Sequence, residues 1–154
     1  MGRITVFSDK HAYERYRILF DIDALEAALV SCIDKSALPQ QINIVLVGNK
    51  KIRELNRDFR SIDEATDVLS FDYRGSFEIE PKSKYNTEAG SAGEVYVSIP
   101  YLRKITAMRP DAFERVLKET IVHGLLHLAG HDHQNRSEEE NMNRLQQVVV
   151  EKVR

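Results

Sequence analysis

Four of the chain's five histidines crowd into one run, His123-Gly124-Leu125-Leu126-His127-Leu128-Ala129-Gly130-His131-Asp132-His133. On an α-helix, His123 and His127 are separated by about 400° of rotation, so their imidazoles leave one face a turn apart and can share an ion. Gly130 then permits the positive φ that ends a helix, which lets the chain turn back and deliver His133 to the same ion. Three nitrogen ligands leave a fourth position open, the arrangement in which zinc acidifies a water and polarises a substrate oxygen. His131 also lies four residues after His127 and is the alternative third ligand if the helical register continues through Gly130. The chemistry read from this run is metal-assisted hydrolysis by one zinc, held by His123, His127 and His133, although three imidazoles also suit nickel, cobalt or copper.

The spacing H-x-x-x-H-x-x-G-x-x-H is the ligand skeleton of the metzincin proteases, in which a glutamate follows the first histidine. Here that residue is Gly124. Glycine cannot take a proton from water or pass one to a leaving amine, so peptide hydrolysis is disfavoured. Met142 falls in a strongly helical segment and reads as core rather than as the methionine turn of such enzymes. Asp132, Glu94 and Glu119 are the carboxylates available as a general base. Asp132 could instead accept the second ring N–H of a metal-binding histidine.

The elements that must position these residues follow from periodicity. Ile4–Phe7, Ile42–Val47, Val68–Asp72 and Glu94–Ser98 read as four short strands. Ile22–Ile33, capped by Asp21 or Asp23, reads as a helix, and Lys50–Phe59 as another with Ile52, Leu55 and Phe59 on its buried stripe. Ser98 caps a third helix that has Pro100 in its first turn and runs to about Ala107. Asp111 and Glu114 have the spacing of a capping box opening the longest helix, whose stripe is Phe113, Val116, Leu117, Thr120, Ile121, Leu125 and Leu128. Ser137 and Glu140 repeat that spacing before a last helix packed through Met142, Leu145, Val148 and Val149. Strands and helices are partly segregated, which favours α+β, a small mixed four-stranded sheet with about five helices, over a doubly wound sheet. Tyr73–Ala92 is polar and aperiodic and reads as a mobile surface loop, in which Phe77 and Ile79 could form a short strand or a hydrophobic lid.

At 154 residues and 42% hydrophobic, the chain suits a single domain over 1–154. No apolar run approaches the roughly 20 residues of a membrane span, and the N-terminus alternates like a strand rather than a signal peptide, so a cytoplasmic protein is expected. The single Cys32 permits no internal disulfide and, among Ala28, Leu29 and Ile33, reads as a core thiol. A net charge of −2 is not that of a strongly basic nucleic-acid binder. Lys50, Lys51, Arg53, Arg57 and Arg60 nevertheless cluster, either as a local basic surface or as an ordinary solvated helix face.

Three segments carry a more specific signal: Arg60 with Ala65-Thr66-Asp67-Val68-Leu69-Ser70-Phe71, then Gly93-Glu94-Val95-Tyr96-Val97-Ser98, then the histidine run. In this order they resemble the bacterial YbeY family over nearly the whole chain. The resemblance implies a zincin-like fold with one zinc. It also implies a single-strand-specific, metal-dependent endoribonuclease acting in ribosomal RNA maturation, including the 3′ end of the small-subunit RNA, and in ribosome quality control. Partners would be ribosomal RNA and the small subunit or its proteins. The chain departs from the family in having His131 where a tyrosine is usual and Glu94 where an aspartate is usual, and Tyr73–Ala92 is longer.

The resemblance carries catalytic importance to Arg60 and to the three histidines, and Asp132 joins Arg60 as a catalytic candidate. A phosphodiester under attack gathers negative charge on its oxygens, and a guanidinium can donate two parallel hydrogen bonds to them. Asp67 is expected to orient Arg60 or a nearby backbone turn. Ser70 sits in a strand without an adjacent histidine, which disfavours a nucleophilic serine. The competing class is a ribosome-associated assembly factor whose metal staples the C-terminal helices, a reading that gains if His131 or Asp132 fills a fourth coordination position.

Overall fold

The computed structural model describes residues 2–74 and 92–153. Its sheet is built around β2 (Gln41–Val47), an almost uninterrupted apolar run, as a strand covered on both faces requires. β1 (Ile4–Ser8) and β4 (Ala92–Ser98) flank it in parallel, and β3 (Val68–Asp72) lies antiparallel to β4 at the edge, giving the order β1-β2-β4-β3. In this register Val45 lies beside Tyr96, and Val95 beside Ser70. The four strands are those expected, β4 beginning two residues earlier than its apolar pattern.

Among the described residues five α-helices accompany them: α1 (Ile22–Val30), α2 (Asn49–Arg60), α3 (Ile99–Ile105), α4 (Pro110–Leu128) and α5 (Arg136–Lys152). Short 3-10 segments occupy His11–Ile18 and Lys35–Ala37, of which periodicity gave no sign. Asp21 caps α1, its carboxylate accepting from Asp23 N and Ala24 N. The two longest helices start earlier than their charge spacing indicates. Arg109 occupies the N-cap of α4 with Pro110 as its first residue, and Asn135, accepting from Glu138 N at 2.9 Å, caps α5. Proline is pre-shaped for a first turn, and an asparagine oxygen reaches the same orphan amides as serine, so nearby acids alone mislocate the start.

Strand alternation divides the core. Ile42, Ile44, Leu46, Val95 and Val97 pack with α1, α4 and α5, whereas Val45, Val47, Leu69, Phe71, Tyr73 and Tyr96 pack with Ile52 and Leu55 of α2. Two expected core residues lie outside: Phe59 is 45% exposed, with its ring edge-on to Phe71 at 5.8 Å, and Val148 is 39% exposed while Val150 is buried in its place. The last turn of α2 lies over edge strand β3, where no further strand among the described residues covers it. Met142 is buried, and Cys32 is half-buried against the larger cluster. No helix among the described residues is long and apolar enough to cross a membrane. Most of the segment expected as a mobile loop, with Phe77 and Ile79, lies outside the described residues.

Candidate metal centre

α4 packs its Gly124 directly onto the sheet. A Cβ at this position would lie 2.6 Å from Val95 Cγ1 and 3.2 Å from both Ser70 Oγ and Val68 Cγ2. Glycine is therefore required by the close approach of helix and strand, and a glutamate there would have no space. The absence of a protease base is thus a consequence of packing. Ser70, on the facing strand, donates its hydroxyl to Gly124 O at 2.9 Å. That bond commits the hydroxyl proton to a backbone carbonyl rather than to a histidine base.

The close packing presents His123 and His127 at the end of α4, half-buried and one turn apart, with Nε2 to Nε2 at 3.2 Å. α4 then stops in a Schellman motif. Gly130, at φ +93°, donates to His127 O at 3.0 Å, and His131 N donates to Leu126 O at 3.0 Å. This turn engages the His131 backbone N–H and swings His133 back to the other two, its ring centroid 5.9 Å from that of His123 and 5.2 Å from that of His127. One ring nitrogen from each of His123, His127 and His133 lies within 4.8 Å of the others, a group that could hold a metal ion and that does not include His131.

The donor chemistry fits a divalent transition metal. Two nitrogens bound tetrahedrally at zinc distances stand about 3.3 Å apart, close to the separation of the first pair. His123 Nδ1 lies 3.1 Å from Gln146 Oε1 of α5; because an amide oxygen only accepts, Nδ1 carries the proton and Nε2 keeps its lone pair. Burial lowers the His127 pKa, and the neighbouring His123 and His133 lower it further against the opposing pull of Asp132, so the ring favours its neutral, metal-binding form. Among the described residues no fourth histidine, cysteine or carboxylate joins the group.

The three histidines open onto a cleft of about 680 Å³ that also takes in Arg60, Asp67, Asp72 and Asp132. Arg60 comes from the opposite side of the sheet, as the last residue of α2. Its Nη2 donates to Ser70 O at 2.9 Å, and its guanidinium carbon sits 4.9 Å from the centre of the Phe71 ring. Ser70 belongs to the edge strand, so the arginine caps an edge carbonyl and leans over the strand into the cleft.

Several expected roles are reassigned by these contacts. Asp132 does not take a ring N–H; its Oδ1 accepts from His133 N at 2.7 Å, and Gln146 meets the His123 ring. Gln146 lies in a helix whose packing against α4 is a tertiary fact, and no local spacing marks it. Asp67, by contrast, takes one of its two expected roles: it accepts from Val68 N at 2.8 Å and Thr66 Oγ1 at 3.2 Å, which fixes the backbone turn into β3, and not Arg60. Glu94 is buried on the α2 face, where the Tyr73 and Tyr96 hydroxyls donate to it at 2.8 and 3.2 Å, across the sheet from the histidines. Glu119 pairs with Arg115 at 3.9 Å outside the cleft. Of the α2 cations, Arg53 and Arg57 pair with Asp63 and Asp58, and only Arg60 reaches the cleft.

Comparison with known proteins identifies the family. A family model described as Endoribonuclease YbeY matches residues 11–154. Proteins named Endoribonuclease YbeY from Brevibacillus brevis and Bacillus cereus are 34% and 31% identical to this chain. The first alignment covers 84% of this chain and 87% of the relative, the second 90% and 86%. A solution structure of the Thermotoga maritima protein TM1509 superposes with a TM-score of 0.58 at 27% identity, covering 97% of this chain and 88% of that one. The α+β, zincin-like fold expected from the sequence is the fold observed. With a family match over nearly its whole length and the three-histidine cleft in place, the chain belongs to the YbeY endoribonuclease family.

Proposed function

We propose that residues 1–154 act as one metal-dependent hydrolase domain that cleaves single-stranded RNA, with zinc held by His123, His127 and His133. The observation that carries this reading is the meeting of Arg60 with the three histidines in one cleft, from opposite faces of the sheet. When bound, the ion supplies a Lewis acid at its open position. Arg60 spends one N–H on Ser70 O and holds a second 3.4 Å from Phe59 O, which leaves other donors of its five for the non-bridging oxygens of a phosphodiester. Asp132 lines the cleft with one oxygen on His133 N, and in this reading its other oxygen accepts a proton from the attacking group, a water or the neighbouring 2′-hydroxyl. A cleft open along the edge strand suits a flexible strand better than a rigid duplex.

The family supports the biological setting: maturation of ribosomal RNA, including the 3′ end of the small-subunit RNA, and ribosome quality control, in the cytoplasm, with the small subunit or its proteins as partner. The reading is tested with zinc-loaded and chelator-stripped protein on single-stranded RNA, duplex RNA and an unfolded polypeptide, beside Arg60→Ala and His127→Ala. Cleavage of single-stranded RNA that needs metal and is lost in both variants is expected. Cleavage surviving both substitutions, or none at all, sinks the nuclease, and proteolysis would point to a peptidase instead.

A further inference from the structure

Each of the two α4 histidines is followed by a residue whose carbonyl receives a hydrogen bond from a side chain on or just after β3. Ser70 Oγ donates to Gly124 O at 2.9 Å, and Arg74 Nη2 donates to Leu128 O at 2.8 Å. The donors are four residues apart and so are the acceptors, which puts the two carbonyls on one line of the helix, a turn apart. An α-helix leaves its last four carbonyls without intrahelical donors. Here Ala129 N, His131 N and Gly130 N satisfy Leu125, Leu126 and His127, and Arg74 takes the remaining one, Leu128. Its positive charge also meets the negative end of the helix.

Arg74 is itself held from two other sides. Asp72 accepts from its Nε at 3.0 Å and its Nη2 at 2.7 Å, and Ala37 O accepts from Nη1 at 2.8 Å. The guanidinium therefore joins the end of β3, the Lys35–Ala37 turn and the end of α4. Ser70 joins two parts of the cleft, since its backbone carbonyl seats Arg60 at 2.9 Å while its hydroxyl holds Gly124.

We propose that Ser70 and Arg74 are positioning residues that clamp the final turns of α4 to β3, and so set where His123 and His127 hold the metal relative to Arg60. The proposal rests on the metal-site reading above. If it holds, releasing either carbonyl loosens the helix end that carries the histidines, and the metal site weakens more than the fold does.

The experiment compares the full-length wild type with Ser70→Ala, Arg74→Ala and Arg74→Lys. Three readouts are taken: zinc affinity by competition with a chromophoric chelator, the visible spectrum of the cobalt-loaded protein, and thermal unfolding of the metal-free protein. Arg74→Ala is expected to weaken zinc binding about tenfold, the lower end of what losing an outer support of a metal site costs, and to shift the cobalt bands. Arg74→Lys should recover part of both, because an ammonium can reach one carbonyl but not the whole fork. Ser70→Ala should move both readouts the same way by less, and it removes only one oxygen, so it carries the test if Arg74→Ala does not fold. Wild-type affinity and spectra in all three variants, with only a lower unfolding temperature, overturn the clamp. A wild type that binds no metal overturns the clamp together with the metal site. A weakened site in Arg74→Ala supports the clamp even if the wild type cleaves no RNA, an outcome that removes only the nuclease reading.

Discussion

The cleft has two walls, and they are built differently. The histidine wall is the end of a 19-residue helix packed through Leu117, Ile121 and Leu125, each fully buried, and finished by a Schellman turn. The arginine wall is the exposed last residue of α2, just before Ser61 at φ 61°, held by one strong carbonyl bond and an aromatic ring. A metal site tolerates little displacement of its ligands, and two of the three, His123 and His127, sit where core packing determines position, while the exposed His133 is brought in by the turn. On the function proposed above, a group that follows a moving phosphate gains from a long side chain with few anchors. Edge strand β3 joins the walls, since Ser70 touches both.

Substitutions can separate the walls. Arg60→Ala should lower kcat on RNA by about 10²- to 10³-fold, the loss typical of one transition-state donor. Zinc affinity and unfolding temperature should stay near wild type, because the side chain is exposed. A matching loss of zinc affinity would show that the walls are not independent. Gly124→Ala attacks the other side. The added Cβ meets Val95 Cγ1, and overpacking of this kind costs about 1–3 kcal/mol, read from denaturant unfolding. An unchanged midpoint would mean that α4 can lift from the sheet without penalty.

Gln146→Leu tests the ring orientation of His123 alone. Losing the acceptor at Nδ1 frees the tautomer, and zinc binding should weaken about tenfold with kcat at saturating zinc little changed. The smallest effect is a pH dependence at the rim. Burial works to raise the Asp72 pKa, but hydrogen bonds from Arg74 outweigh it and hold the carboxyl below its ordinary value. Stability from this pair is present above the unfolded carboxylate value near 3.8 and is lost as pH falls through the lower folded value. Asp72→Asn should flatten the unfolding temperature below about pH 4. An unaltered acid slope would remove Asp72 from that account.

Much of this protein is legible along the chain, for reasons that are local. Strand and helix periods are properties of neighbouring residues, so the four strands and five α-helices among the described residues can be read from the sequence, with errors at helix ends: Pro110 and Asn135 outrank the acids downstream as starts, and α1 stops at Val30 rather than Ile33. The grouping of His123 and His127 follows from the pitch of a helix, and Gly130 announces the turn that returns His133. Arg60 is different, since its interest came from resemblance and nothing local places it near a histidine.

What required the tertiary structure were relations between residues far apart in sequence. Gly124 is legible as an absent base, yet only the contact with Val95 explains it as a packing requirement. Gln146 rather than Asp132 meets the His123 ring because α5 lies against α4, and Glu94 leaves the site because alternation in β4 turns it to the other face. Phe59 is half-exposed because its partner, Phe71, lies on the edge strand. Sequence alone determined which side chains can do chemistry, because pitch and residue type are local; folding decided which of them share a cleft, because that depends on how separate elements pack.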